Sequence, residues 1–224
     1  MKMLAIETAL EACSIAVTHG ADREPVVNSE IVGRGHAERV FGVIAATMDE
    51  AGLAYSELDR IAVTVGPGSF TGLRVGIAAA RGLALVIGCP VVGVGTLAVH
   101  AESARLLAGA VSVLAVLDAR REEIYGQRFS ADGSPVGGPQ VGTASFFGTM
   151  LEDGDVLAGA GAGIVAATLS AGITAPIVHR QSSPEIRALV SVSLRAPVSA
   201  IAPSPLYLRP PDAKPQTTKG IALQ

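Results

Sequence analysis

The sequence has no tryptophan, and aromatic residues make up only 4% of its 224 residues. Hydrophobic residues nevertheless reach 49%, so the chain can bury a sizeable core built from alanine, valine, leucine and isoleucine. The length is enough for two small domains or one large one.

Cysteine is scarce as well. Cys13 and Cys89 stand far apart and form no C-x-x-C pair, so we expect reduced, buried thiols and a cytoplasmic protein. Glu7 and Glu11 interrupt the apolar run that a secretory signal would need. The one membrane-like stretch, residues 75–99, contains Arg81, Pro90 and several glycines, which favours a helix, a turn and a strand over a membrane span.

The chain also lacks an excess of positive charge. Its net charge is −3, which argues against a lone nucleic-acid binder, because such proteins carry a basic face. No acidic residue occurs from Arg60 through Ala101, so this segment is apolar and weakly basic.

The central segment GPGSFTGLRVGIAAARGLAL, residues 66–85, follows the β-branched strand pattern of residues 61–65. It predicts a helix that is apolar on almost every side except for Arg74 and Arg81. Gly72, Gly76 and Gly82 each cost about 1 kcal/mol relative to alanine in a helix interior, which indicates that another backbone comes close. The helix either packs on its own sheet or also docks a partner.

The order of elements predicts an α/β fold with two lobes. Strand, turn and strand patterns at residues 3–18 are followed by helices, and the same order returns from residue 111. A clear apolar stripe predicts the helix 36–51, and Gly52 is typical of its C-terminal stop. We expect a first lobe over residues 1–108, a smaller second lobe over 109–209 and a loose tail over 210–224.

The sequence offers no metal or nucleophile constellation. A helical metal pair needs ligands such as histidines at i and i+4, but His36 has Val40 at that position. Ser69 is not in a G-x-S-x-G motif, and no histidine or aspartate is placed to activate it. We therefore predict no catalytic residue and no metal ligand.

The glycine loop fits neither common nucleotide motif. A Walker loop ends in Gly-Lys-Ser/Thr, whereas Gly72 is followed by Leu73 and Arg74. A dinucleotide loop needs glycine where Thr71 stands and an acidic residue about twenty positions on. A strand-to-helix turn remains, with Ser69 or Thr71 as cap, and the backbone at Gly68, Ser69 and Thr71 could still contact an anion or nucleotide.

Several segments resemble the TsaB (YeaZ) family. The segments MLAIETALEACSIAV, GHAERVF, GPGSFTGLRVGIAAARGLAL, LDARREEIY and PLYLR occur in the family's order and extend to about Arg209. The resemblance implies a two-lobed actin-like or sugar-kinase-like (ASKHA) fold with mixed sheets covered by helices. It also implies a non-catalytic subunit that binds and activates the related protein TsaD, which acts with the ATPase TsaE to form threonylcarbamoyladenosine in tRNA.

The same resemblance implies which surface binds the partner. The helix His36–Ala51 and the helix after Gly72 are expected to pack on TsaD, or on a second copy when TsaD is absent. ATP or ADP and metal are expected in the partner subunits, tRNA is contacted indirectly, and no membrane is involved. The expected contacts are His36, Val40, Val43, Ile44, Thr47, Gly72, Leu73, Gly76, Ile77 and Ala80.

An independent ATP-dependent phosphotransferase of the sugar-kinase type is the alternative. Actin-like ATPases wrap phosphate with glycine-containing turns, but the turns 7–11 and 118–122 contain no glycine. Glu11 and Glu122 would also repel phosphate. Asp118 is well placed, although one carboxylate at a strand end is weak evidence, and a purely homodimeric scaffold stays open as well.

Overall fold

A computed structural model describes residues 1–20, 23–33, 35–170 and 173–209. Within these residues the strands form two five-stranded mixed sheets, and each sheet is the centre of one lobe. The predicted tail, residues 210–224, lies outside the described residues. The two covered sheets confirm the predicted two-lobed α/β fold.

The first lobe begins with an antiparallel meander and continues with parallel strands. β1 pairs antiparallel with β2 and parallel with β4, so Ile6 lies beside both Ile15 and Val63. The sheet order is β3-β2-β1-β4-β5. The elements are β1 Met3–Glu7, β2 Ala12–Thr18, β3 Val26–Ile31, α1 His36–Ala51, a 3-10 turn Tyr55–Glu57, β4 Arg60–Gly66, α2 Phe70–Ile87, β5 Val91–Gly95 and α3 Thr96–Ala108.

The second lobe repeats the strand-turn-strand opening. β6 pairs antiparallel with β7 and parallel with β9, and the sheet order is β10-β9-β6-β7-β8. The elements are β6 Val113–Arg120, β7 Glu123–Phe129, β8 Pro135–Gly142, α4 Ala144–Gly148, β9 Val156–Ala158, α5 Ala162–Ala166, β10 Ile177–His179 and α6 Ile186–Arg195.

Each face of the first sheet has its own helices. α1 and α2 lie on one face, where Ile44 and Ile77 pack with Ile6 and Val63. α6 covers the other face, where Leu189 packs with Ala5 and Val92. α3 lies between the lobes, because it contacts α6 on one side and β6 of the second sheet on the other.

The second half of the chain does not stay in the second lobe. α6 packs on the first sheet, and the N–H of Leu206 donates to the carbonyl of Val65 on β4 at 2.7 Å. Residues 203–209, here called the strap, thus run back across the first lobe. The predicted boundary between residues 108 and 109 separates the two sheets, while α6 and the strap follow that boundary in the chain and pack on the first lobe.

Local sequence signals explain the helix ends. The hydroxyl of Ser69 accepts a hydrogen bond from the N–H of Gly72 at 3.3 Å, as predicted for the cap of α2. Gly52 and Gly88 adopt the left-handed conformation that ends α1 and α2. Gly95 precedes α3 as its N-cap residue, without a side-chain cap.

Some elements have no clear signal in the sequence. β8 occupies residues 135–142, whose glycine and proline content is typical of a loop. It is an exposed edge strand, where such residues are tolerated. α5 and β10 have five and three residues, too few for a clear hydrophobic period.

α2 is the one helix among the described residues that is long and apolar enough to cross a membrane. Its inner side packs on the first sheet through Leu73, Ile77 and Ala80, so it is a core helix. Residues 75–99 form the predicted helix, turn and strand, since α2 ends at Ile87 and β5 begins at Val91.

Of the three α2 glycines, Gly72 meets the close backbone contact that its cost indicates, and Gly76 meets a side chain at similarly close range. A Cβ atom at Gly72 would overlap the carbonyl oxygen of Thr8, and one at Gly76 would overlap the Thr8 hydroxyl. Thr8 in turn donates its hydroxyl proton to the carbonyl of Gly72 at 2.8 Å. Gly82 differs, because a Cβ there would meet no atom within 4 Å.

We predict opposite effects of alanine at these positions. Gly72→Ala forces α2 away from β1 and lowers the free energy of unfolding by about 1–3 kcal/mol, the usual cost of overpacking. Gly82→Ala is the matched control in the same helix and raises it by about 0.5–1 kcal/mol, because only the helix propensity changes. Urea unfolding of both variants measures the difference, and equal effects would contradict the contact with Thr8.

Candidate functional site

The residues predicted as partner contacts face the interior of the chain. His36, Val40, Val43, Ile44 and Thr47 are the buried side of α1, and the hydroxyl of Thr47 donates to its own helix at Val43. Gly72, Leu73, Gly76, Ile77 and Ala80 are the buried side of α2. These ten residues are buried within the isolated chain. Their contact with a partner stays a prediction, as does the choice of the two helices.

The opposite sides of the same helices are exposed and carry large apolar side chains beside charged ones, among them Glu38 and Asp49 on α1 and Arg74 and Arg81 on α2. Because α1 and α2 lie side by side on one face of the sheet, their solvent-facing residues point the same way. Leu85 and Val86 are each 86% exposed, and Phe41 and Phe70 are more than half exposed. We call this surface the outer face and define it by Phe41, Gly42, Ala45, Phe70, Arg74, Ala78, Arg81, Gly82, Leu85 and Val86.

Small residues make the outer face accessible to another backbone. A Cβ atom at Gly42 or Gly82 would meet nothing within 4 Å, so neither glycine is required by packing inside the chain. Their conformational cost is therefore unexplained by the fold of the isolated chain. An exposed apolar surface with unneeded glycines is typical of a surface covered by another protein.

The strap completes one end of the outer face. Tyr207 stacks on Phe70 with ring centroids 5.4 Å apart, and the Nε of Arg74 donates to the Tyr207 hydroxyl at 3.0 Å. The Arg74 guanidinium also lies over the Phe70 ring, 3.7 Å from its centroid. Arg209 forms an ion pair with Glu123 of β7, so the strap joins the outer face to the second lobe.

A cleft of about 850 Å³ lies between the lobes. Its walls come from the turn after β1, the loop before α2 and the end of β6, including Glu11, Ser69 and Asp118. The carboxylate of Glu11 accepts from the Ser182 hydroxyl at 2.9 Å, and that of Asp118 accepts from the N–H of Arg120 at 2.7 Å. Both carboxylates are thus engaged with the chain's own donors.

The predicted anion contacts have fewer free donors than the sequence indicates. The N–H of Ser69 donates to the carbonyl of Ala9 at 2.6 Å, and the N–H of Gly72 donates to the Ser69 hydroxyl. Gly68 lies against the same Ala9 carbonyl, which a Cβ atom would overlap, while Thr71 is exposed. Anion binding at Gly68, Ser69 and Thr71 stays a prediction.

The second turn of the cleft has an unusual backbone. Arg120, Arg121 and Glu122 all have positive φ, at 63°, 54° and 63°. Such angles cost non-glycine residues roughly 1–2 kcal/mol each. The turn thus holds three non-glycine residues in a left-handed conformation, and the paired strands β6 and β7 on either side of it maintain that conformation.

Two buried histidines lie behind the cleft. His100 of α3 and His179 of β10 meet edge to face with ring centroids 5.3 Å apart, and their four ring nitrogens have no hydrogen-bond partner among the described residues. Burial lowers the pKa of His100 to about 3, with a smaller contribution from His179. Burial also lowers the pKa of His179.

No group of three or more histidine, cysteine or acidic side chains within the described residues could hold a metal ion. The ring of His36 is buried, and its Nε2 is 3.3 Å from the carbonyl oxygen of Ala12, so this nitrogen is engaged within the chain. Burial raises the pKa of Cys13 to about 11, so its thiol is a poor nucleophile.

Known proteins match both the sequence and the fold. The family model of TsaD, tRNA N6-adenosine threonylcarbamoyltransferase, matches residues 26–141. YeaZ from Pseudomonas aeruginosa is 30% identical in sequence with a TM-score of 0.75, over 87% of this chain and 92% of that one. The chain belongs to the TsaB/YeaZ family.

Other relatives differ in how much of them is matched. The tRNA threonylcarbamoyladenosine biosynthesis protein TsaB of Escherichia coli is 39% identical over 132 residues, which are 59% of this chain and 56% of that protein. The chain thus aligns with about half the length of this curated relative. An uncharacterized protein of Mycobacterium bovis, Mb3455c, is 37% identical over 95% of this chain and 94% of its own length.

The sequence patterns did not indicate the outer face or the buried carboxyl group of Glu7. Phe41, Phe70, Leu85 and Val86 are apolar residues displaced from the buried stripe, and that displacement is the signal that could have found them. Glu7 is fully buried at the end of β1, and burial raises its pKa to about 7. An acidic residue at a strand end gives no such signal in the sequence.

The buried histidine predicts a specific acid response. The unfolded chain takes up a proton on His100 below about pH 6.5, whereas the folded chain takes it up only near pH 3. The stability that neutral His100 supplies is therefore present above pH 6.5 and is lost as the pH falls. Relative to the wild type, His100→Leu gains about 1.4 kcal/mol of unfolding free energy per pH unit between pH 6.5 and 4.5. Denaturant titrations at several pH values measure this gain, and parallel curves would contradict it.

Proposed function

We propose that this chain is the non-catalytic accessory subunit of the enzyme system that forms threonylcarbamoyladenosine in tRNA. In this proposal it binds and activates TsaD, and TsaE joins the assembled complex. Its relatives support the pathway, because the Escherichia coli protein is named for threonylcarbamoyladenosine biosynthesis. The observation that carries the binding role is the outer face of α1 and α2.

The outer face has the properties of a protein interface. Stable interfaces bury about 1,600 Å² in total and are anchored by aromatic and large apolar side chains. Phe41, Phe70, Leu85 and Val86 supply such anchors, and full burial of each would contribute roughly 1.5–3 kcal/mol. At Gly42 and Gly82 the backbone of a partner helix could come close to α1 and α2, because no side chain stands in the way.

One surface can serve two assemblies. Without TsaD, the same apolar face would meet its copy in a symmetric homodimer, since a twofold axis presents one patch to itself. With TsaD present, the heterodimer replaces the homodimer. We place the protein in the cytoplasm, with tRNA contacted through the complex and no membrane involved.

The cleft supports an accessory role rather than chemistry. Ser69, Glu11 and Asp118 are engaged with the chain's own hydrogen-bonding groups, and both turns lack glycine. ATP or ADP and metal are assigned to the partner subunits. A transferase or kinase would instead need groups free to contact phosphate and a developing charge.

The partner surface can be tested without damaging the fold. Gly82→Arg places a long side chain on the outer face where no atom of the chain is near, so we expect the isolated protein to fold normally. Binding to TsaD should weaken at least 100-fold, because the arginine holds the two backbones apart. Calorimetry measures the affinity, and circular dichroism with thermal melting checks the fold.

Gly163→Arg is the matched control for this experiment. Gly163 is an exposed glycine of α5 in the second lobe, and a Cβ atom there also meets nothing within 4 Å. It should bind TsaD like the wild type. If Gly82→Arg also keeps normal affinity, the outer face is not the interface.

The non-catalytic role predicts how reconstituted modification responds. Omitting the chain from a mixture of purified TsaD, TsaE, tRNA and substrates should abolish threonylcarbamoyladenosine, and the chain alone should form none. Asp118→Asn should leave the yield within about twofold of the wild type, because the carboxylate accepts a hydrogen bond from the N–H of Arg120 in its own turn and an asparagine side-chain oxygen can accept it as well. Nucleoside analysis by mass spectrometry gives the yield, and loss of product with Asp118→Asn would assign chemistry to the cleft.

A further inference from the structure

The carboxyl group of Glu7 is isolated from both water and counter-charge. Its side chain is fully buried at the end of β1, and its Oε1 accepts a hydrogen bond from the N–H of Ala9 at 2.7 Å. Neither its Oε2 nor the neighbouring Thr64 hydroxyl on β4 makes a hydrogen bond of good geometry among the described residues, although the hydroxyl lies close enough to lower the pKa of the carboxyl. A carboxylic acid in this position keeps its proton unless water reaches it.

The elements that pack against β1 bring no base to this carboxyl. β2 contributes the thiol of Cys13, whose pKa is raised in part by Glu7. The charged groups on β4, α2 and α6 are turned away or engaged elsewhere. Arg60 donates to the carbonyls of Ser193 and Ala196, Arg74 and Arg81 lie on the outer face, Arg187 pairs with Glu24, and Arg195 pairs with Glu102.

The residues after Glu7 are locked to α2. The Thr8 hydroxyl donates to the carbonyl of Gly72 at 2.8 Å, and the carbonyl of Ala9 accepts from the N–H of Ser69 at 2.6 Å. Gly72 and Gly76 leave no space for a Cβ atom against Thr8. The segment 7–9 therefore cannot move without moving the N-terminal half of α2.

The same segment borders water. Ala9 and Leu10 line the interlobe cleft, so a small opening there would admit water to the carboxyl. A carboxylate formed at Glu7 would draw such water, since it has no positive partner to replace it. The released proton leaves through the cleft to bulk water.

We propose that Glu7 is a proton-controlled latch that, when neutral, holds α2 in the conformation whose outer face binds the partner. Loss of the proton hydrates the carboxylate, shifts Thr8 and Ala9, and moves the N-terminal turn of α2 that carries Phe70 and Arg74. Burial raises the pKa of Glu7 to about 7, which places the transition in the physiological range. The regulation of binding rests on the proposed function, whereas the movement of α2 does not.

Nuclear magnetic resonance of the isolated full chain tests the latch without a partner. The Glu7 carboxyl carbon should titrate near pH 7, and the amide signals of Ser69 and Gly72 should shift with the same midpoint. In Glu7→Gln, which imitates the neutral acid, these amide shifts should vanish. Glu11→Gln is the matched control, because Glu11 is an exposed carboxylate of the same turn, and it should retain them.

A second variant keeps the test decisive if Glu7→Gln does not fold. The Thr64 hydroxyl lowers the pKa of Glu7 against the effect of burial, so Thr64→Val should move the midpoint to higher pH. An unchanged midpoint, or a carboxyl that titrates near pH 4.5 in the wild type, would overturn the latch.

Binding to TsaD at pH 6 and pH 8 tests the regulation. If only the neutral form binds, the apparent Kd of the wild type should rise about tenfold over this range, in proportion to the fraction ionised. Any effect of pH on TsaD itself changes the Kd of Glu7→Gln and that of Glu11→Gln equally, so it cancels in the ratio of the two Kd values. Only Glu11→Gln keeps the titrating Glu7, so the ratio of the Kd of Glu7→Gln to that of Glu11→Gln should fall about tenfold from pH 6 to pH 8. A constant ratio would overturn the regulatory role. Absence of binding at every pH would refute the proposed function, and the magnetic resonance titration would then decide whether Glu7 controls the position of α2.

Discussion

The contact between the end of β1 and the glycine side of α2 sets the position of almost everything else in the first lobe. Thr8 touches Gly72 and Gly76 through atoms that leave no space for a side chain, and Ala9 holds the loop before α2. This contact fixes how closely α2 lies on the sheet. It thereby fixes the level of the outer face above the sheet and the shape of the cleft wall.

The glycines of α2 serve two surfaces. Gly72 and Gly76 allow the helix to approach its own strand, whereas Gly82 lies on the opposite side in open space. Composition alone counts them as one group, because each lowers helix propensity by a similar amount. Only the structure separates the glycines required for folding from the one that is free to accommodate a partner.

Much of the fold could be predicted from the sequence, because α1, β4 and α2 carry strong periodic patterns and clear caps. β8 was missed because its glycines and prolines are typical of a loop, and the short α5 and β10 contain too few residues for a pattern. The face of a helix is harder to assign than its existence. Apolar spacing identifies residues that are covered, but it does not say whether a sheet or a partner covers them. The burial of Glu7 depends on distant segments that no local pattern reports.

The outer face is completed by the strap, a segment that is synthesised much later than α1 and α2. Tyr207 belongs to the same aromatic cluster as Phe70, yet some 130 residues of chain separate the two. During translation α1 and α2 leave the ribosome long before residues 203–209 do. In the nascent chain the outer face therefore lacks its contacts with Tyr207 until the second lobe and α6 have been synthesised.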